Sequence, residues 1–394
     1  MSRILGLELL DALARYFLVL KHRATFDSSE CDFFRRLWLW CRARAIIVGM
    51  SVSMSEKLRI GVLGLTHDHV WSEAAAAADC QRAELVAAAD PNEPLRGRFT
   101  ETYGCPVYKE STSLLENERL DAAYIFGSNL EGSHMAIEAM ERGLHILIEK
   151  PLAANLDDAN HMVVAARKNN VQLVVNWPFT WWPQLQQAIK MVEDGSIGIL
   201  RSVTYRAAHC GPESLGCSEY FCDWLFDERR NGAGAMMDYC CYGAVLAAAL
   251  MGMPESVVGM AGGRAKDFLS VEDSGIIAMK YAQGMATATA SWTQLGNLTS
   301  YDTAIYGSEG TIFAEPGDEG KLYLATKDDP NGSEVPVPKP ELGLRDSAHN
   351  FVEVVTGQRD PFILSRDDYS RDAQEILEAG IRSAKLGEQI KLPL

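Results

Sequence analysis

His145-Ile146-Leu147-Ile148-Glu149-Lys150-Pro151 decides the reading of this chain. The apolar run before Glu149 has the length of a buried parallel strand. A lysine at the carboxyl end of such a strand faces the crevice where open α/β sheets bind their ligands. Pro151 has no N–H to give a sheet, so the strand stops there. Lys150 is then held at the strand end. Taken alone, the tripeptide is equally a solvated Glu-Lys pair before a turn. The segments on either side carry the decision.

Upstream, Leu58 to Leu63 reads as a strand that ends at Gly64. An alanine-rich helix is expected from Val70 to Asp79, and a second strand from Glu84 to Ala89, closed by Asp90-Pro91. Strand, turn, helix, strand and acid in that order make a Rossmann half. Such a turn lets backbone N–H groups approach a pyrophosphate, and the helix N-terminus adds the positive end of its dipole. The expected G-x-G-x-x-G falls on Gly64-Leu65-Thr66-His67-Asp68-His69, where only the first glycine stands. Thr66 carries a Cβ where the backbone should come close. Its hydroxyl, with His67 and His69, offers donors to a phosphate in exchange, and Asp68 repels one. Asp90 has the spacing of the acid that bonds the ribose hydroxyls. Its carboxylate disfavours a 2′-phosphate, which points to NAD over NADP; Asn92 and Arg96 keep NADP open.

The alternation continues downstream. A short helix is expected from Ser113 to Asn117, and a strand from Asp121 through Tyr124-Ile125-Phe126-Gly127. His134 to Arg142 reads as a helix ended by Gly143. After the Glu149-Lys150-Pro151 strand come a helix over Leu156–Asn169 and a strand over Val171–Asn176. The pattern is a parallel sheet with crossover helices. Beyond it, Leu200 to Ala208, Val257 to Gly262, Ser274 to Tyr281, Met285 to Trp292 and Thr303 to Tyr306 read as strands. Gln283-Gly284 and Glu309-Gly310 punctuate them like hairpin turns.

Composition narrows the class. A chain of 394 residues with 47% apolar content has room for two or three domains and a large core. A net charge of −16 argues against nucleic acid and anionic membrane surfaces as partners. No stretch of 18 or more residues is uniformly apolar, so no membrane span is expected. The nine cysteines are scattered, odd in number and without zinc spacing. They suit a reduced, cytoplasmic protein, and no metal ligands are assigned. Residues 1–53 differ from the rest, with a net charge of +3 against −19 for the remainder. Glu8, Asp11 and Arg15 interrupt the apolar stretch Leu5–Leu20, which excludes a signal-peptide core. Arg35-Arg36 before Leu37-Trp38-Leu39-Trp40 is only faintly like a twin-arginine signal, since Arg42 and Arg44 break the run. The segment is expected to be a poorly packed extension, with Met54 as an alternative start. The segments after the extension are expected to be 54–176, binding dinucleotide, and 177–394, whose α+β fold and substrate and oligomer contacts are implied by the resemblance that follows.

Taken together, the first glycine turn, Asp90-Pro91, the strand ending near Asn129, His134 with Gly143, and Glu149-Lys150-Pro151-Leu152 resemble the glucose-fructose oxidoreductase / inositol dehydrogenase (Gfo/Idh/MocA) family. Asp194-Gly195-Ser196-Ile197-Gly198 and Gly232-Ala233-Gly234-Ala235-Met236-Met237-Asp238 extend the likeness, as does the closing stretch Ile376–Lys391. The resemblance implies a Rossmann domain followed by an α+β domain on a large, mostly antiparallel sheet, through which subunits pair as a homodimer or homotetramer. It also implies NAD(P)-dependent hydride transfer at a secondary hydroxyl of a sugar, cyclitol or related polyol. Cofactor contacts are then expected at Gly64, Thr66, His67, Asp90, Gly127, Asn129, His134, Glu149 and Lys150.

Alcohol oxidation needs a group that takes the hydroxyl proton as hydride leaves. Lys150 can stabilise the oxygen, or relay the proton if its pKa falls near the cofactor. Asp238 and Tyr242, four apart, share a face if Ala235–Leu250 is a helix. The family mostly has histidine at the second of these positions; the D-x-x-x-Y pattern here resembles glucose-fructose oxidoreductase itself and the dihydrodiol and xylose dehydrogenases. Tyr242 is expected as proton relay, its phenolate favoured by the Lys150 cation. Asp238 is expected to accept from substrate hydroxyls. Trp177 and Trp181 are expected either to stack on substrate or to pack between domains. His209, Glu219, Tyr220 and Trp224 fall in a probable loop within reach. The lost glycines and missing histidine also suit a catalytically silent binding member, and some relatives are lyases that recycle bound nicotinamide.

Overall fold

The computed structural model describes residues 57–263 and 265–394. The expectations for residues 1–53, and Met54 as a start, lie outside the described residues.

The first sheet is built from β1 (Leu58–Leu63), β2 (Ala83–Ala89), β3 (Val107–Tyr108), β4 (Ala122–Ile125), β5 (His145–Glu149) and β6 (Leu173–Asn176). Their spatial order is β3-β2-β1-β4-β5-β6, and every pairing is parallel. This is the doubly wound order whose ligand crevice opens where β1 and β4 part. Between the strands run α1 (Val70–Asp79), α2 (Glu93–Tyr103), α3 (Ser111–Asn117), α4 (Asn129–Glu141) and α5 (Leu156–Asn169). Helices on both faces bury the strands twice, so β4 and β6 are buried at every position. The caps are local. The Ser128 hydroxyl accepts from the Glu131 amide at the start of α4, and Asn155 from that of Asp158 at the start of α5. Asn170 ends α5 in the left-handed conformation. With Ser128 as its cap, α4 begins five residues before the expected His134.

The second layer follows through α6 (Pro183–Glu193), β7 (Leu200–Ala208), three short helices α7 (Pro212–Leu215), α8 (Glu219–Leu225) and α9 (Glu228–Asn231), and the long α10 (Ala235–Met251). Then come β8 (Ser256–Ala261), β9 (Ser274–Tyr281), β10 (Gly284–Ser291), β11 (Asp302–Gly307), β12 (Gly310–Ala314), β13 (Leu322–Thr326) and β14 (Ser333–Val335). Helices α11 (Ser347–Val355) and α12 (Asp367–Leu386) and the short β15 (Ile390–Lys391) close the chain. The nine strands β7 to β15 form one sheet in the order β14-β13-β12-β11-β7-β10-β9-β8-β15. All its pairings are antiparallel except β7 with β10. The expected α/β architecture, a Rossmann sheet plus a larger mostly antiparallel one, is what the structure shows.

Helix α10 lies across β7 and β10, and α12 across β8. Gly243 makes the first contact possible: a Cβ there would sit 2.5 Å from the Cβ of Ala288. The stretch Glu228–Met251 is apolar enough for a membrane span, yet 78% of it is buried inside the protein. It reads as a core helix. On the opposite face no helix among the described residues covers the sheet, and Val258, Met260, Met285 and Tyr306, which the strand register places on one side, are exposed. Helix α11 returns to the first sheet, where Ala348, Phe351 and Val352 share a core with Ile60, Val62 and Tyr124.

Candidate active site

Lys150 follows β5 directly and reaches across to the first turn of α10. Its Nζ lies 2.6 Å from Asp238 Oδ1 and 3.1 Å from the Asp238 carbonyl oxygen. Both side chains are buried, 4% and 7% exposed, so the charges are desolvated together. The second carboxylate oxygen of Asp238 accepts from Trp292 Nε1 at 3.1 Å. The ammonium stands 5.2 Å from the ring centre of Tyr242 and 5.4 Å from that of Tyr239. Asp238 and Tyr242 share this end of α10, as the four-residue spacing predicted, and Tyr239 joins them. Tyr239 continues the polar line, its hydroxyl 3.0 Å from that of Tyr301.

Two electrostatic expectations are corrected. Burial by itself lowers the Lys150 pKa, but the charges of Asp238 and Glu149 and the Asp238 hydrogen bond outweigh it and hold the pKa above its ordinary value. Lys150 is a fixed cation, not a poised proton carrier. The phenol of Tyr242 is pushed well above its ordinary value, by burial first and then by Cys241, Tyr205, Asp238 and Glu149. The cation does not favour a phenolate, because Asp238 already neutralises it. Tyr242 is a neutral phenol, packed against Trp177, Phe179 and Tyr205 at ring separations of 5.8, 5.0 and 5.7 Å. His209 completes this side. Its Nδ1 accepts the Gly211 amide at 2.8 Å, and burial lowers its pKa to about 4.

On the dinucleotide side, Gly64 ends β1 with φ +81°, and a Cβ on it would come within 2.6 Å of the Gly127 amide nitrogen. Only glycine allows β1 and β4 to part this tightly. Asp90 is buried after β2, with Oδ2 accepting the Leu65 amide at 2.7 Å and Oδ1 the Asn92 amide at 2.7 Å. One carboxylate thus ties the first turn to the end of β2 and retains lone pairs for a further donor. The backbone amides of Thr66 and Asp68 have no partner among the described residues. Asp68 faces the second half of the chain, where its oxygens accept from the Ser218 amide at 2.7 Å and the Ser218 hydroxyl at 2.6 Å. Gly127, Ser128, Asn129, Glu149 and Pro151 line a small cleft at the ends of β4 and β5. A glycine-only turn, unpaired amides at a helix start and an acid after β2 fit a nicotinamide dinucleotide.

Several expected residues stand elsewhere. His134 lies on the outer side of α4, 63% exposed and 3.9 Å from Asp158, and is not brought to the crevice. Asn129 lines the cleft, but its Nδ2 is taken up by α9, donating to Asn231 Oδ1 at 2.9 Å. Trp177 is fully buried and donates to Ser370 Oγ at 3.2 Å, so it packs instead of facing a substrate. Trp181 donates to Asn176 Oδ1 at 2.9 Å; Asn176 in turn donates to Glu149 Oε1 at 2.5 Å. Glu149 also meets His69, with 3.2 Å between Oε2 and Nδ1. Trp292, Tyr239, Tyr301 and Asn176 were not foreseen. They come together only through strand pairing and helix docking, which no spacing along the chain records.

A dinucleotide crevice beside a buried Lys-Asp-Tyr constellation defines a nicotinamide-dependent oxidoreductase architecture. The chain belongs to the GFO/IDH/MocA oxidoreductases: residues 58–177 match the family's NAD-binding Rossmann fold and residues 185–313 its C-terminal domain. It is similar to a dTDP-3,4-didehydro-2,6-dideoxy-alpha-D-glucose 3-reductase of Actinomadura kijaniata, 29% identical over 203 residues. That match covers 51% of this chain and 58% of the reductase. It is also similar to a scyllo-inositol 2-dehydrogenase (NADP(+)) of Bacillus subtilis, 24% identical over 331 residues, covering 80% of this chain and 90% of that enzyme. Among solved structures, levoglucosan dehydrogenase in complex with NADH and levoglucosan has the same fold, with a TM-score of 0.73 at 19% identity over 86% of this chain and all of that one.

Proposed function

We propose that this chain transfers hydride between a nicotinamide cofactor and a secondary hydroxyl, or the matching ketone, of a sugar, cyclitol or related polyol. The buried Lys150–Asp238 pair at the mouth of the dinucleotide crevice carries this reading. Named relatives act on such molecules, one as a sugar ketone reductase and one on an inositol. Bound cofactor supplies the hydride donor or acceptor. Gly64 and the Thr66 and Asp68 amides would receive its pyrophosphate, and Asp90 its ribose.

The protein residues then divide the remaining work. Lys150, kept protonated by Asp238, offers a fixed positive charge where a substrate oxygen becomes an alkoxide. Tyr242 holds a proton on its phenol and gives it to that oxygen in reduction; the reverse step returns it in oxidation. Trp292 anchors the far oxygen of Asp238 and so fixes the direction of the lysine. His209, neutral at physiological pH, presents Nε2–H as a donor to a further hydroxyl.

Titration of NADH and NADPH by nicotinamide fluorescence, followed by a panel of inositols, aldoses and ketoses, tests the proposal. Binding of either cofactor and turnover that falls in Lys150→Met support it. Cofactor binding without turnover on any polyol would favour the silent-member or cofactor-recycling alternatives. We further propose pairing of subunits through the helix-free face around Met260 and Met285; light scattering that returns a monomer would refute it. All seven cysteines among the described residues are free thiols, which supports a reducing, cytoplasmic location.

A further inference from the structure

The carboxyl ends of β1 and β5 bring two imidazoles and a carboxylate to one point beneath the crevice. One ring nitrogen each of His67 and His69 and one oxygen of Glu149 lie within 4.8 Å of one another. The His69 Nδ1 to Glu149 Oε2 distance is 3.2 Å. Two ligands held about 2.1 Å from one tetrahedral ion are separated by about 3.4 Å, so this edge of a coordination sphere already exists. His69 Nδ1 is shielded from solvent and makes no hydrogen bond of acceptable geometry. Its polar contact among the described residues is the Glu149 oxygen, which a protonated ring meets as an ion pair and a neutral ring through a shared cation.

The surroundings orient the ligands as second neighbours of a metal do. Asn176 Nδ2 holds Glu149 Oε1, which leaves Oε2 to face His69. The His69 amide donates to His67 Nδ1 at 3.2 Å, a long bond whose lone pair an ion bound at that nitrogen would take over. The His67 ring is wedged between Phe221 and Trp224, at centroid distances of 4.8 and 5.7 Å. Lys150 supplies no competing partner, because its ammonium is bonded to Asp238.

We propose that His67, His69 and Glu149 form a binding site for one divalent transition-metal ion. Two imidazoles and one carboxylate suit Zn²⁺, Mn²⁺ or Fe²⁺ better than Ca²⁺ or Mg²⁺, which prefer all-oxygen shells. Three protein ligands leave a coordination position open toward the crevice. The cysteine and His-spacing rules of sequence reading pass over this site, since Glu149 lies 80 residues beyond His69. The inference stands apart from the hydride-transfer reading, because metal can bind whether or not the chain turns over a polyol.

The test is equilibrium dialysis of the full chain, stripped with chelator, against Zn²⁺ and Mn²⁺, with metal counted by mass spectrometry and Co²⁺ absorption as a spectral readout. One ion per chain is expected in the parent protein. His69→Ala should bind at least 10²-fold more weakly, and Asn176→Ala roughly 10–100-fold more weakly. His134→Ala, outside the cluster, should bind like the parent. The His69 side chain is 40% exposed at a helix start, so its truncation should leave the fold intact, which a thermal melt verifies. Absence of tight metal in the parent protein, or equal metal in His69→Ala, overturns the proposal. NADH titration of the stripped protein reads the hydride-transfer proposal separately.

Discussion

Asp238→Asn is the sharpest perturbation of the constellation. The variant keeps an oxygen for Trp292 Nε1 but turns an amide NH₂ toward the Lys150 ammonium, donor against donor. Lys150 is then a buried cation that has lost its bonded counter-charge, with only the unbonded Glu149 carboxylate left near it. Removing one partner of a buried pair costs about 3–5 kcal/mol. The upper bound comes from letting the lysine lose its proton instead. With a reference pKa near 10.4, neutralisation costs about 5 kcal/mol at pH 7 but only about 2 at pH 9. The sign follows from proton counting. In the parent protein the Lys150 pKa is raised. Its stabilisation is therefore complete below about pH 10.4 and is lost only as pH climbs through the folded value. In the variant the folded pKa is depressed, the unfolded chain binds the extra proton, and stability rises with pH.

Urea unfolding at pH 7 and pH 9, read by tryptophan fluorescence, measures both effects. The expected loss is about 3–5 kcal/mol at pH 7, shrinking to about 2 or less at pH 9. Lys150→Met/Asp238→Asn should recover most of it at both pH values, since no unpaired charge remains. A single-variant loss under about 1 kcal/mol, a loss that does not change with pH, or a double variant no better than the single would refute the reasoning.

Gly64→Ala should cost more than about 2 kcal/mol in the same unfolding assay, from a left-handed backbone and a Cβ meeting Gly127; an unchanged midpoint contradicts the close approach of β1 and β4. Asp90→Ala should weaken NADH binding and shift preference toward NADPH, while leaving the Leu65 and Asn92 amides unpaired at about 1–3 kcal/mol; fluorescence titration of both cofactors checks it, and an unaltered ratio counts against Asp90 as the ribose acid. Tyr242→Phe should lower kcat about 10²–10⁴-fold with a smaller change in KM, and the parent pH profile should show no phenol ionisation below pH 10; an active Phe variant removes Tyr242 from proton transfer.

Local signals carried much of the architecture. Gly64 and the apolar run of Leu58–Leu63 located the first strand and its turn, because a buried parallel strand is apolar throughout and a glycine must follow it. The hairpin punctuation at Gln283-Gly284 and Glu309-Gly310 straddles the ends of the two-residue gaps, with Gly284 and Gly310 opening β10 and β12. Helix α2 was missed for a physical reason. Only Leu95 and Phe99 of its eleven residues are buried, and Gly97 lowers its propensity, so the apolar stripe is too thin to read. The closing stretch expected from Ile376 to Lys391 divides at Gly387, where α12 ends in the left-handed conformation and the chain turns into β15. The site was legible where both partners lie on one helix, as with Asp238 and Tyr242. It was not legible where a partner arrives from a distant strand, as with Trp292.

Two polar residues of the dinucleotide half are engaged by the second half of the protein: Asp68, read from the sequence as repelling a phosphate, by Ser218, and Asn129, expected at the cofactor, by Asn231. Arg230 adds a third tie, 3.0 Å from Glu131 on α4. These links run along the same seam as the Lys150–Asp238 pair, so Asp68, Asn129 and Lys150, beyond the carboxyl ends of β1, β4 and β5, each reach across it. Asn231 shows why the seam is specific. It accepts from Asn129 while donating to the carbonyls of Leu225 and Ala233 at 3.0 and 2.5 Å, so it fixes the short helices that precede α10. The start of α10 then carries Asp238 to the lysine. The geometry of the proposed catalytic pair is therefore set from both sides of the crevice, by Pro151 ending β5 on one side and by the Asn129–Asn231 clamp positioning α10 on the other.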